Sequence, residues 1–417
     1  MSSPVDDTRY AHTTTPLDIW IEIFDIATYV PGVLDTEPGD SFSSPETWLA
    51  NEQTWRDAYL SLRAVNRTAL SLSLVCKDFA SLVLPLLYRY VAIDSRRDWE
   101  SFSRTLETTA MREPSSDGHP GGLGRYVRHV QLRTRTFSFL SRDPFPASYT
   151  LAFNYLPGLQ SLSIDRGHWT NEVEAQFVKA VLSSCSATLR KLCIDPRPYE
   201  RIDIFPPSFP NLQVLLNRNG CPLHLPSAPQ LSHLTLCSSD CVSKHTHDKP
   251  LPNVRRVCVQ VPCFPFIEHW RRFLTVQGRL LTTVYIHCAP DGGENDGMFQ
   301  AVKDYCPNLE SLIVRIDRSY KYEALVLPVV GRLGVSLSDW PPRCRTNALE
   351  EFQEWFEVFA RRVGASAKVV RLLDATLSQD VQDWITDGVD LGPVDWSFKV
   401  EDCFGREIQA MSCQVDA

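Results

Sequence analysis

A short pattern recurs along the middle of this chain: an apolar residue, two variable positions, an apolar residue, one variable position, a third apolar residue. It reads Val127/Val130/Leu132, Leu159/Leu162/Ile164, Leu189/Leu192/Ile194, the shortened Leu212/Leu215, then Leu231/Leu234/Leu236, Val254/Val257/Val259, Leu281/Val284/Ile286 and Leu309/Leu312/Val314. First members lie between 19 residues (Leu212 to Leu231) and 32 residues (Val127 to Leu159) apart. Proline often precedes a unit, as in Phe209-Pro210-Asn211 and Cys306-Pro307-Asn308. Alternating apolar positions over so few residues make a short strand with one face toward a core. Amphipathic stretches fill several intervals: Asn171 to Ser183, Phe266 to Val276 and Gly297 to Tyr305. Strand and helix repeated at this period predict a curved α/β solenoid with a parallel sheet on its concave side. An ordinary α/β domain with strand–helix alternation is the alternative. In each strand the residues between the apolar ones then face outward, which nominates Arg133, Lys191, Arg256, Tyr285, His287 and Arg315 for contact with a target.

Ahead of the repeats lies a segment of different character. Thr15-Pro16-Leu17-Asp18 predicts a helix start, with Thr15 as cap and Pro16 at the first helical position. To Ala27 the polar residues Asp18, Glu22 and Asp25 form one stripe, and the rest of the surface is apolar: Leu17, Trp20, Ile21 and Phe24, extended by Ile19, Ile23 and Ile26. Such a helix needs apolar neighbours on two sides. A second helix is expected from Ala69 to Leu84, ending at Pro85, and Leu86 to Ile93 turns strand-like.

The order Pro16-Leu17-Asp18-Ile19-Trp20-Ile21-Glu22-Ile23-Phe24, then Leu74-Val75-Cys76-Lys77-Asp78-Phe79 and Pro85-Leu86-Leu87-Tyr88-Arg89, resembles an F-box, most of all those of mushroom-forming fungi. Thr15 stands where that family usually has leucine. The resemblance implies a small helical bundle that binds the Skp-type adaptor of a cullin-RING ubiquitin ligase. It implies docking contacts from Pro16, Leu17, Ile23, Leu74, Val75 and Cys76. The repeats resemble leucine-rich repeats, with irregular spacing and most of the usual asparagines missing. The alternative for the helices is a cap on the repeat array, since solenoids need atypical ends.

The expected organisation is a disordered tail at 1–14, an F-box-like module at 15–95 with an inserted irregular loop at 28–61, and a linker at 96–125. The solenoid follows at 126–327, and a helical cap and tail at 328–417, with helices at Asn347 to Arg362, Lys368 to Leu377 and Ser378 to Gly388. The 417 residues exceed what one core serves, so two domains or an elongated array are required.

Chemistry is sparse. There is no nucleophile elbow, phosphate-binding glycine loop, dinucleotide fingerprint or metalloprotease helix. No cofactor and no catalytic residue are expected. Cys237, Cys241, His245 and His247 offer zinc-type ligands within eleven residues, but not at the separations of a standard finger, and ordinary loop residues are the favoured reading. A net charge of −8 argues against a general nucleic-acid binder, which would show a basic excess, and leaves room for a local basic face. Met1 to Tyr10 has no apolar core of a secretory signal, and Phe79 to Tyr88 is too short to span a bilayer. A cytoplasmic or nuclear protein is expected, with its thirteen cysteines mostly buried thiols. The function implied is a substrate-recognition adaptor of an SCF-type ligase, its repeats holding an unknown target, acidic or phosphorylated. The alternative is a leucine-rich-repeat scaffold with no ligase link.

Overall fold

The structure is a computed structural model, described over residues 15–30, 33–34, 52–112, 122–133, 151–165, 172–194, 208–217, 228–236, 250–260, 267–288, 295–317, 327–338, 348–363, 366–387 and 398–408. The chain forms two compact units that divide near residue 167.

The first unit opens with three helices, α1 (Leu17–Ala27), α2 (Glu52–Ser73) and α3 (Lys77–Leu87). Phe24, Ala69, Phe79, Val83 and Leu86 are its core, with Trp20, Leu72, Cys76, Leu82 and Leu87 packed around them. The aromatic rings set the helix crossing: Trp20 and Phe24 each lie 4.9 Å from Phe79, the second edge-on. Strands β1 (Tyr90–Ile93), β2 (His129–Arg133) and β3 (Ser161–Asp165) pair in parallel in chain order, and α4 (Arg96–Arg112) lies between the first two in sequence.

Five expectations change here. The helix start is one residue later, with Pro16 at the cap position and no side-chain cap. The single helix from Ala69 to Leu84 is two helices, broken at Leu74–Cys76, where Cys76 accepts a bond from the Phe79 N–H. Pro85 does not end α3. Two more residues follow it, because buried Val83 and Leu86 hold the turn and the Tyr88 N–H still reaches the Leu84 carbonyl. The inserted loop is shorter than 28–61, since α2 begins at Glu52 and Val30 and Val33 are buried with Leu62 and Tyr90. The linker at 96–125 contains α4, whose Trp99 and Leu106 are buried, Trp99 stacking on Phe153 at 5.3 Å.

The second unit carries β4 (Lys191–Ile194), β5 (Val214–Asn217), β6 (His233–Leu236), β7 (Arg256–Gln260), β8 (Thr283–His287), β9 (Ser311–Asp317), β10 (Val330–Ser338), β11 (Ala367–Leu372) and β12 (Lys399–Glu401). They lie side by side in chain order, all parallel. Helices α5 (Glu172–Cys185), α6 (Ile267–Gln277), α7 (Asn295–Tyr305), α8 (Ala348–Val363) and α9 (Ala375–Thr386) accompany them. The architecture is α/β with parallel strands in sequence order, consistent with a solenoid.

Its core follows from the recurring pattern. The register aligns Leu192, Leu215, Leu234, Val257, Val284, Leu312, Leu333, Val370 and Val400 in one buried row. Before most strands a tight turn recurs: the N–H of Leu231, Val254, Leu281 and Leu309 bonds the carbonyl three residues back. That turn is why proline clusters there. The asparagines of the Pro-Asn pairs link neighbouring repeats, Asn211 donating to the Ala187 carbonyl, Asn253 to that of Pro229 and Asn308 to that of Arg279.

The expectation that the pattern ends near Leu327 with a helical cap is overturned in part. Strands β10, β11 and β12 extend the sheet, and Lys368 to Leu372, read as helical, is the body of β11. Neighbouring Val369, Val370, Leu372 and Leu373 carry no clear period, so pairing with β10 decides the conformation. Helices α8 and α9 are present much as expected.

Candidate docking surfaces

Helix α1 buries Trp20 only partly and Phe24 fully, and both point at Phe79. The remaining apolar residues of this helix have no place in that core. Leu17, Ile19, Ile21, Ile23 and Ile26 are all exposed, with Leu17 at 56%, Ile23 at 44% and Ile26 at 71%. Its C-terminus is fixed by Thr28, whose hydroxyl and N–H both donate to the Phe24 carbonyl at 2.7 and 3.0 Å. Arg89 holds Asp25 at 2.5 Å, tying the helix to the chain just before β1.

The break between α2 and α3 produces a second apolar projection. The Leu74 and Val75 N–H groups bond the Ser71 and Leu72 carbonyls, closing a turn that leaves Leu74 78% and Val75 64% exposed. Pro16, Leu17, Ile23, Leu74 and Val75 are thus on the surface of one helical unit. Cys76 differs: it is half-buried, caps α3 and packs on the core, so it positions the turn. Leu60 and Leu70 of α2 are exposed as well. They escaped the sequence reading because Leu60 fell in the expected loop and Leu70 in the expected helix's polar surroundings.

Residues nominated for target contact are placed less simply. Arg133 belongs to the first unit, where it lies 3.8 Å from Asp94 and over the Tyr59 ring. The other five belong to the second unit, on the sheet face opposite the apolar row. Lys191, Arg256, His287 and Arg315 are partly exposed. Tyr285 is buried, 2% exposed, in a cluster with Cys258, Ile313 and Leu373, and its hydroxyl finds no hydrogen-bond partner among the described residues. It is not a surface residue. The expectation that every alternate position is free to touch a target fails here, since Cys193, Leu216, Thr235, Cys258, Tyr285 and Ile313 form a buried row.

The charge on this face acts on a buried histidine. Burial, then the nearby Arg256 and Lys191, push the His233 imidazole down to about 3, so it is neutral while its neighbours are cationic. Arg332 and Lys399, absent from the nominated set, fall in the same row as Lys191 and Arg256. They lie in strands the pattern reading did not reach.

Cys237, Cys241, His245 and His247 lie outside the described residues. Among the described residues no group of three or more His, Cys, Asp or Glu is placed to hold a metal ion, and no helix is long and apolar enough to cross a membrane. Most described cysteines are buried, and burial pushes the Cys185 and Cys306 thiols up to about 12.

No family model and no curated protein matches the chain. Among solved structures, the crystal structure of the Rad7 and Elc1 complex in yeast resembles it at a TM-score of 0.32 and 12% identity, over 89% of this chain and 81% of that one.

Proposed function

We propose that the chain is a non-enzymatic substrate-recognition adaptor of a cullin-RING ubiquitin ligase. Its helical module docks on a Skp-type adaptor, and through that on a cullin, while the parallel repeats hold a target protein. The observation that carries this reading is the apolar surface of the first unit: Leu17, Ile19, Ile21, Ile23 and Ile26 on one short helix, with Leu74 and Val75 at the turn between α2 and α3, all exposed. Isolated exposed apolar residues need no explanation, but a concentration of this kind marks an interaction site. Its positions coincide with the residues that resemble an F-box. Two binding surfaces on one chain raise the effective concentration of target beside the ligase, so the chain itself needs no catalytic group.

The test is co-purification of the 417-residue chain with a Skp-type adaptor. Replacing Ile23 and Val75 together by Asp puts charge where an apolar interface forms, and an unpaired buried charge costs several kcal/mol. Both side chains are exposed in the free protein, so folding is retained. Adaptor capture vanishes in the double variant while thermal unfolding stays unchanged. Wild-type capture by that variant, or no capture by wild-type protein, removes the ligase reading in favour of a free-standing repeat scaffold.

A further inference from the structure

The sheet register of the second unit assembles a row of residues that are far apart in sequence. On the face opposite the apolar core, the first position of successive strands reads Lys191, Val214, His233, Arg256, Thr283, Ser311, Arg332, Val369 and Lys399. Four of these nine are Lys or Arg and none is Asp or Glu, in a chain where acidic residues outnumber basic ones by 50 to 42. Arg315 follows on the same face, further along β9. Lys191, Arg256 and Arg315 are partly exposed, and Arg332 and Lys399 exposed. Among the described residues, Glu401 engages Arg371 and Lys399, and Asp374 accepts from the Ser336 hydroxyl and the Leu337 N–H. Lys399 also reaches Glu407 at 3.1 Å.

We infer that this row is a binding surface for an acidic, extended peptide segment that crosses the strands. The inference deepens, and rests on, the reading of the repeats as the target-holding half. Neighbouring strands lie about 4.8 Å apart, so the three strand steps from Lys191 to Arg256, and the three from Arg256 to Arg332, each span about 14 Å. An extended peptide advances about 3.4 Å per residue, so it meets a cation at roughly every fourth residue. An even interval also keeps those side chains on one side of the peptide. The occupant is therefore a segment with anionic side chains four residues apart, held by charge-assisted hydrogen bonds from arginine. Glutamate and phosphoserine share that chemistry.

Fluorescence anisotropy on the full chain tests it with peptides of about twelve residues, carrying Glu, phosphoserine or Gln at every fourth position. The Glu or the phosphoserine peptide binds, more weakly as salt rises, and the Gln peptide at least about tenfold less tightly. Binding by phosphoserine alone assigns a phosphorylated source, and binding by both an acidic one. Arg256→Glu with Arg332→Glu weakens binding about tenfold or more. Arg271→Glu with Arg272→Glu, the same charge change on helix α6, leaves it unaltered. Should the first pair fail to fold, Arg332→Gln with Lys399→Gln, both at exposed positions, lowers affinity in the same direction. Equal loss from both Glu pairs, tight binding of the Gln peptide, or no binding of either anionic peptide overturns the inference. Adaptor co-purification, run in parallel, reports on the ligase reading alone: its failure with peptide binding intact sinks that reading and not this row.

Discussion

Tyr285 and His233 lie two strands apart on the same sheet face, and each is a buried polar side chain. Tyr285 keeps a hydroxyl with no partner among the described residues, and burial pushes its phenol well above the ordinary range. A buried, unpaired hydroxyl costs free energy that the aromatic ring does not repay. Tyr285→Phe is therefore expected to raise stability by about 1 kcal/mol, read as a higher urea midpoint at unchanged slope. A lower midpoint would mean that the hydroxyl has a partner. His233 makes a statement about pH. Its folded-state value, about 3, lies below the ordinary 6.5, so between those values the unfolded chain binds the extra proton. Stability from this group is complete above pH 6.5 and falls as pH drops toward 3, by at most about 1.4 kcal/mol per pH unit. His233→Gln should flatten the loss between pH 6 and pH 4, measured by urea unfolding across that range.

At the scale of elements, the repeats are joined by side chains as well as by strand pairing. Gln277, buried at the end of α6, donates to the Leu251 and Val254 carbonyls and accepts from the Leu251 N–H. It pairs the Leu251 N–H and the Val254 carbonyl, and adds a second bond to the Leu251 carbonyl that closes the tight turn before β7. Gln277→Leu keeps the volume and removes all three bonds, so a loss of roughly 2–4 kcal/mol is expected in chemical denaturation. The exposed Asn308, which makes one bond to the preceding repeat, should cost only about 1 kcal/mol as Asn308→Ala. Gly278 serves the same junction by absence. A Cβ there would meet the Tyr305 carbonyl oxygen at 2.3 Å, so the backbones of successive repeats approach closely only with glycine.

At the scale of the molecule, an open parallel sheet needs an end that does not recruit further strands. Among the described residues the last strand is three residues long, and the chain turns at Gly405, φ 80°, to bridge Glu401 to Glu407 in the antiparallel sense. Inside this end Arg371 grips Glu401 through two nitrogens at 3.0 and 2.8 Å, both residues buried. Glu401→Ala strands a buried guanidinium, and a cost of about 3–5 kcal/mol is expected, with early proteolysis after Leu372 as its signature. The apolar docking surface and the basic row belong to different units. Ile23→Asp with Val75→Asp should leave peptide binding unaltered, and Arg256→Glu with Arg332→Glu should leave adaptor capture unaltered.

By themselves the residues determine a good deal. Alternation over Val127/Val130/Leu132 and its recurrences specifies short strands and their buried face, because a period of two has only one way to hide its apolar half. The surplus of isoleucine on Leu17–Ala27 specifies a helix with more apolar surface than one neighbour can cover. What only the tertiary structure decided are matters of neighbourhood. Whether Val369 and Val370 join a strand depended on β10 lying beside them, and whether Tyr285 faces water depended on Leu373, which comes from a later strand's end. The row of Lys191, Arg256, Arg332 and Lys399 likewise exists only once parallel pairing sets residues from distant repeats side by side. Local periodicity fixes which way a side chain points, and long-range register decides what it meets there.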